Sequence, residues 1–176
     1  MFENNGMNYL FDLKSKEMMH LYYAVKNRHG YSIENRDELI KDIITAIKPS
    51  IEKYDFIIYP QSSNDFLEKI ITGLNKTKIM VEKNSIESLL GKIDNLKLQK
   101  AEKISHMDRI SNMNGSFKIN ALKATQRKKY ENILFKDVEI PIGNGIIIDD
   151  SCFSGTTFNA IKGKTNVKDC LAIFAK

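Results

Sequence analysis

The sequence predicts an α/β domain, a central mostly parallel sheet flanked by helices, and three observations carry that expectation. Short runs of β-branched and aromatic residues, Phe56-Ile57-Ile58-Tyr59, Lys78-Ile79-Met80-Val81, Ile146-Ile147-Ile148 and Leu171-Ala172-Ile173-Phe174, are largely apolar, as strands buried within a sheet are. Segments whose apolar residues recur at three- and four-residue spacing lie beside them, so that strand, turn, helix and strand follow one another as they do in a parallel sheet. No internal repeat, low-complexity tract or Pro/Gly/Ser linker divides the chain, which leaves a single domain over residues 1–176.

Residues 7–25 read as one helix, with Leu10, Leu13, Met18, Leu21, Tyr22 and Val25 along one face. A turn over 27–31 separates it from a second helix, N-capped by Ser32 or Asn35, carried by Leu39, Ile40, Ile43, Ile44 and Ile47, and ended by Pro49. The strand at 56–59 closes at Pro60 and passes through a polar turn, 61–64, into a helix marked by Phe66, Ile70, Ile71 and Leu74. The strand at 78–81 follows it. Residues 82–134 are lysine-rich with apolar residues at wider intervals. They read as helix, exposed loop around the turn 112–116, and a short strand at Phe117-Lys118-Ile119. The last forty residues give a turn at 143–145, a buried strand at 146–148, a loop over 149–155, a short helix from Thr156 to Ile161 and a closing strand at 171–174.

An apolar fraction of 42% and a charged fraction of 28% are those of a globular protein, which disfavours disorder, collagen and a disulfide scaffold. No apolar run approaches the ~20 residues that cross a bilayer, and the first twenty residues carry acidic and amide side chains where a signal peptide is apolar. The expected location is the cytoplasm, with no membrane partner. Cys152, Cys170, His20, His29 and His106 are scattered without metal-ligand spacing, so neither a zinc site nor a structural disulfide is expected. The net charge of +5 and the crowding of Lys and Arg between Lys97 and Lys136 favour an anionic partner met by the middle of the chain. For any one of those lysines a solvated helix face is the simpler role.

The chemistry concentrates in Gly145-Ile146-Ile147-Ile148-Asp149-Asp150-Ser151-Cys152-Phe153-Ser154-Gly155-Thr156-Thr157. A strand feeding a helix N-terminus gathers unpaired backbone N–H groups and the positive end of a helix dipole around one point, which suits a phosphate. Gly155 allows close backbone approach, and Ser154, Thr156 and Thr157 supply hydroxyl donors. Asp149 and Asp150 accept hydrogen bonds when ionised and repel phosphate, so they suit vicinal sugar hydroxyls instead. Ordinary strand and helix capping is the bland alternative. An acidic pair directly after a buried strand, a glycine five residues beyond it and hydroxyls around that glycine favour a ligand loop. A Walker A loop and a glycine-rich dinucleotide fingerprint are both excluded by the residues present.

This loop resembles the ribose-phosphate signature of type I phosphoribosyltransferases: four mostly apolar residues, two acids, three variable residues, then Thr or Ser, Gly, any residue and Thr. Tyr22-Tyr23-Ala24-Val25-Lys26-Asn27-Arg28-His29-Gly30 and Arg109-Ile110-Ser111-Asn112-Met113-Asn114-Gly115-Ser116-Phe117 are similar to stretches of the competence-protein ComF branch of that family. The resemblance implies the phosphoribosyltransferase fold, a mostly parallel sheet with a small hood. It also implies a glycosyltransferase reaction of nucleotide metabolism, in which pyrophosphate leaves C1 of phosphoribosyl pyrophosphate and a nitrogen acceptor takes its place. Asp149 and Asp150 would then be catalytic and hold the ribose, weakly sharing Mg²⁺. Ser151, Cys152, Phe153, Ser154, Gly155, Thr156 and Thr157 would complete the ribose and 5′-phosphate loop. Gln61, Ser62 and Ser63 would meet pyrophosphate, and a Lys or Arg between 97 and 129 would close over it.

Two departures from the family qualify what is implied. Phe153 stands where purine-salvage members carry an acid, so a ring would be stacked on rather than protonated. The turn Pro60-Gln61-Ser62-Ser63-Asn64 lacks the basic residue and glycine of many relatives, which supports a second reading as a ribose-phosphate sensor that binds without turnover. In that reading nucleic acid is a further partner, since the ComF branch is associated with single-stranded DNA and Arg127-Lys128-Lys129-Tyr130 interleaves charge with an aromatic ring. The expected partners are thus phosphoribosyl pyrophosphate or a nucleotide, with nucleic acid second and a homodimer as an allowed assembly. Cys152 reads as a bystander thiol, His106, on one helix turn with Arg109, as a surface or satisfied residue, and Asp55 and Asp65 as caps.

Overall fold

The computed structural model describes residues 1–4, 7–62, 64–85, 88, 89, 92 and 131–176. Among the described residues six strands form one sheet: β1 (Phe2–Asn4), β2 (Met7–Asp12), β3 (Phe56–Pro60), β4 (Thr77–Val81), β5 (Gly145–Cys152) and β6 (Asp169–Ala175), in the order β1-β2-β6-β5-β3-β4. Only β1 runs antiparallel, to β2; the other five strands are parallel. The runs at 56–59 and 146–148 are apolar throughout because both faces of β3 and β5 are covered. Ile58 and Ile147 join one core layer, Ile57, Ile146 and Ile148 the other. Complete burial of such a side chain contributes about 1.5–3 kcal/mol. Gly145 opens β5 because it pairs with Phe56 in register, and a Cβ there would run into that ring.

Helices α1 (Lys16–Val25), α2 (Arg36–Ile51) and α3 (Asp65–Gly73) cover the face of Ile57 and Ile148 through Tyr22, Val25, Ile40, Ile43, Phe66 and Ile70. Helix α4 (Thr156–Thr165) covers the opposite face with Phe158, Ala160 and Ile161, joined by Leu134 and Phe135 after a single 3₁₀ turn, Glu131–Ile133. The connection β3-α3-β4 steps towards one edge of the sheet and β5-α4-β6 towards the other. The chain therefore changes direction between the neighbouring strands β3 and β5. No helix among the described residues is long and apolar enough to cross a membrane.

Three sequence expectations are corrected. Residues 7–25 are not one helix: Met7–Asp12 is β2, because both its edges are taken by β1 and β6, and its apolar residues serve both core layers, which mimics a broad helical stripe. The helix begins only after Ser15, whose Oγ accepts the Met18 N–H at 3.1 Å. Pro49 does not end α2, which runs on to Ile51. Ile47 and Ile51 are both buried one turn apart, and that burial offsets the hydrogen bond that Pro49 removes. Asp149 and Asp150 are not in a loop but in β5, which extends to Cys152 because Ser151 and Cys152 pair with Phe174 and Ala175. The second helix is capped at Asn35 rather than Ser32, without a side-chain hydrogen bond. The short strand expected at 117–119 lies outside the described residues.

Candidate functional site

A cleft of about 140 Å³ opens where the sheet changes direction, beyond the carboxyl ends of β3 and β5. That crevice is where open α/β sheets bind ligands. One wall is the turn after β3, with Pro60, Gln61, Ser62 and Asn64; the other runs from Asp149 to Phe158. Tyr22, Lys26 and Arg28 close it from α1 and the turn that follows, and Lys83 from the segment after β4. Lys83 is fixed there by a bridge to Phe135, while the Asn84 amide donates to the carbonyls of Ile133 and Phe135 at 2.8 and 3.0 Å.

The two carboxyls at the end of β5 have different surroundings. Side chains of a strand leave alternately to opposite faces, and Asp150 goes to the face of α1. There its Oδ2 lies 2.7 Å from Lys26 Nζ, and its Oδ1 accepts the Ser151 hydroxyl at 2.8 Å. The pair is nearly closed to solvent, with side chains 4% exposed for Lys26 and 10% for Asp150. Lys26 Nζ also donates to Tyr22 Oη at 3.1 Å and lies over that ring, 4.5 Å from its centre. Asp149 is also buried, and its Oδ1 accepts the Asp150 N–H at 2.7 Å. Burial, and then the charge of Asp150, push the Asp149 carboxyl up to about 8, against the opposing fields of Lys26 and Lys83.

Beyond Cys152 the chain turns through residues 153–155 into α4. Gly155 sits at the N-cap with φ of 70°, a left-handed conformation that glycine adopts without penalty, and it has no side chain with which to cap the helix. The first turn of α4, where a helix leaves backbone N–H groups without intrahelical partners, lines the cleft through Thr156, Thr157 and Phe158. Ser154 and Thr156 share a hydroxyl hydrogen bond of 2.9 Å, and Thr156 is buried while Thr157 is half-buried. Phe153 is 40% exposed at the cleft and meets the Tyr22 ring edge to face at 5.8 Å. Cys152 is buried, and that burial raises its thiol.

Of the residues singled out in the sequence, Asp149, Asp150, Ser151, Cys152, Phe153, Ser154, Gly155, Thr156, Thr157, Gln61 and Ser62 line this one cleft. Ser63, His106, Arg109 and the basic residues between 97 and 129 lie outside the described residues. Ser62 Oγ accepts the Asn64 N–H at 3.3 Å, and Gln61 Oε1 accepts the Lys83 N–H at 3.1 Å, so this turn is tied to both its neighbours. Asp55 and Asp65 do not cap helices. Asp55 accepts the Asn144 N–H, and Asp65 pairs with Arg36 while Asn64 caps α3. Sequence reasoning missed Tyr22, Lys26, Arg28 and Lys83 as cleft residues. The spacing of four between Tyr22 and Lys26 puts them on one helix face, but only the fold brings that face to β5. No protein-family model matches the chain, and no curated protein matches it.

Proposed function

We propose that the cleft binds the ribose 5-phosphate moiety of phosphoribosyl pyrophosphate, or of a nucleoside monophosphate, and that the protein is a phosphoribosyltransferase of the type I fold. One observation carries this reading: at the crevice between β3 and β5, two buried carboxyls close the strand that leads into a helix whose N-cap is a left-handed glycine, and both line the same cleft as the start of that helix. A ligand with hydroxyls at one end and a phosphate at the other matches that order. The phosphate takes the N–H groups of α4 with the Ser154, Thr156 and Thr157 hydroxyls, and the sugar hydroxyls take the acids.

In the transfer reaction the bond from C1 to the pyrophosphate oxygen breaks, the bond from C1 to the acceptor nitrogen forms, and the nitrogen loses a proton. The β3–α3 turn, through Gln61 and Ser62, offers polar groups to the leaving pyrophosphate, and Lys83 beside it offers charge. The exposed ring of Phe153 gives a flat acceptor a surface to stack on. Carboxylate oxygen is the hard donor that Mg²⁺ prefers, and Asp149 and Asp150 supply it at the cleft. Asp149 would hold such an ion, most of whose other ligands would come from substrate and water, while Asp150 is paired with Lys26 and accepts from Ser151. Bound there, Mg²⁺ would neutralise charge on the leaving pyrophosphate.

Calorimetry with phosphoribosyl pyrophosphate and Mg²⁺, followed by a screen for pyrophosphate release across nucleobases and amines, tests the proposal. Binding followed by release with one acceptor is the expected result. Binding without release from any acceptor would reduce the protein to a ribose-phosphate sensor, and no binding would overturn the reading.

A further inference from the structure

Lys26 reaches the end of β5 from a helix more than a hundred residues away in sequence, and it is buried at that point with Asp150, also buried, as its 2.7 Å partner. A lysine in such a place costs several kcal/mol to desolvate unless a carboxylate answers it. Both oxygens of Asp150 are spoken for, one by Lys26 and one by Ser151, and Tyr22 Oη steadies the ammonium from the other side while lying 3.4 Å from Ser151 Oγ. Asp149 leaves the strand on the opposite face, and among the described ion pairs none involves it. The adjacent acids are therefore not equivalent acceptors for the two hydroxyls of a sugar.

We propose that Lys26 is a positioning residue that holds Asp150 on the α1 side of the sheet, so that Asp149 alone presents its carboxyl to the ribose hydroxyls and sets the preference for ribose over deoxyribose. This rests on the ribose-phosphate reading above and divides labour within it. A site built to accept from a hydroxyl discriminates against the sugar that lacks it, because the acceptor is then left unpaired. The division predicts that discrimination between the two sugars depends on Asp149 and, through Asp150, on Lys26. Phosphate affinity belongs to α4 and is common to both sugars.

The experiment is calorimetric titration of the full chain with ribose 5-phosphate and with 2-deoxyribose 5-phosphate, for the wild type and four variants, each checked by a thermal melt. The wild type is expected to prefer ribose 5-phosphate by fivefold or more. Asp149→Asn brings the ratio close to one. Lys26→Met lowers the ratio and the affinity, Lys26→Arg keeps both, and Lys26→Met with Asp150→Asn restores most of the ratio that Lys26→Met loses. If Lys26→Met does not fold, the last two variants decide.

A merely structural lysine would weaken both sugars alike and leave the ratio unchanged, which overturns the proposal. So does a ratio that survives Asp149→Asn, or a double variant no better than Lys26→Met. A wild type that binds both sugars equally removes the division of labour while leaving the phosphate site standing. A wild type that binds neither removes the ribose-phosphate reading and this inference with it.

Discussion

Asp149 concentrates the electrostatic tension of the site into one carboxyl. Its value is pushed up to about 8 by burial first and by Asp150 second, so the ligand-free fold favours the protonated acid. A group raised in this way contributes stability that is complete below its unfolded value, near pH 4, and is lost as pH rises through the folded value. The melting temperature of the wild type should therefore fall relative to that of Asp149→Asn between pH 4.5 and 8.5. By the high end the variant should lead by ~3 °C or more, since 1 kcal/mol corresponds to ~2–4 °C in a chain of this size. Melts at matched pH measure it, and a constant difference across the range would show that Asp149 is not buried as an acid. The sequence made Asp149 and Asp150 conspicuous as a pair, because two carboxylates after an apolar strand are rarely neutral in meaning. It could not separate them, since the cation that distinguishes them, Lys26, sits at the C-cap of α1.

At the scale of elements, the entry into α4 depends on one backbone angle. Gly155 has φ of 70°, and although nothing lies within 4 Å of the position a Cβ would take, a branched side chain strains in that conformation. Gly155→Val should cost about 1–2 kcal/mol of stability and abolish ribose-phosphate binding, because relaxing the strain turns the first N–H groups of α4 away from the cleft. Gly155→Asn, which tolerates the left-handed region, should bind between the two; titration calorimetry orders the three, and a Val variant as tight as the wild type would remove the phosphate site from this loop.

A second element-scale prediction concerns Arg36. Its Nε donates to the Val25 carbonyl at 2.7 Å and its two terminal nitrogens to Asp65 at 3.1 and 2.6 Å, so the end of α1 is tied to the start of α3. Arg36→Met should lower stability by about 1 kcal/mol, a figure kept small because the Asp65 side chain is about half exposed. A shift in the urea midpoint with an unchanged slope checks it. These elements were legible to different degrees. The helix from Phe66 to Leu74 and the strands at 56–59 and 78–81 follow from periodicity and breakers alone. The split of residues 7–25 into strand and helix does not, because a strand covered on both faces loses the alternation that would have announced it.

For the whole molecule, the α/β class and the parallel sheet were readable from apolar runs separated by helical segments. The order of the strands was not, because pairing between β2 and β6 joins residues more than 150 positions apart and leaves no local trace. That order gives β6 a particular place. It is the last strand in sequence, yet it lies inside the sheet between β2 and β5, with Leu171, Ala172, Ile173 and Phe174 wholly buried. Removing residues 169–176 should leave β2 paired only with β1 and the sheet in two pieces, and circular dichroism and ANS fluorescence should report a molten state rather than a shortened fold. A truncated chain that melts cooperatively would contradict this.

During synthesis the same arrangement delays completion. The chain emerges at about 5–20 residues per second, and β1 and β2 leave the ribosome long before the strand that must join them to the rest. Until β6 arrives, β2 has a bare edge and the apolar residues of β5 have a neighbour only at β3, so the half-made chain exposes two pairing edges at once. Nascent chains halted before residue 169 should recruit chaperones that hold exposed strands, and full-length chains should release them. The interior position of β6 thus makes closure of the sheet an event that awaits the synthesis of residues 169–175.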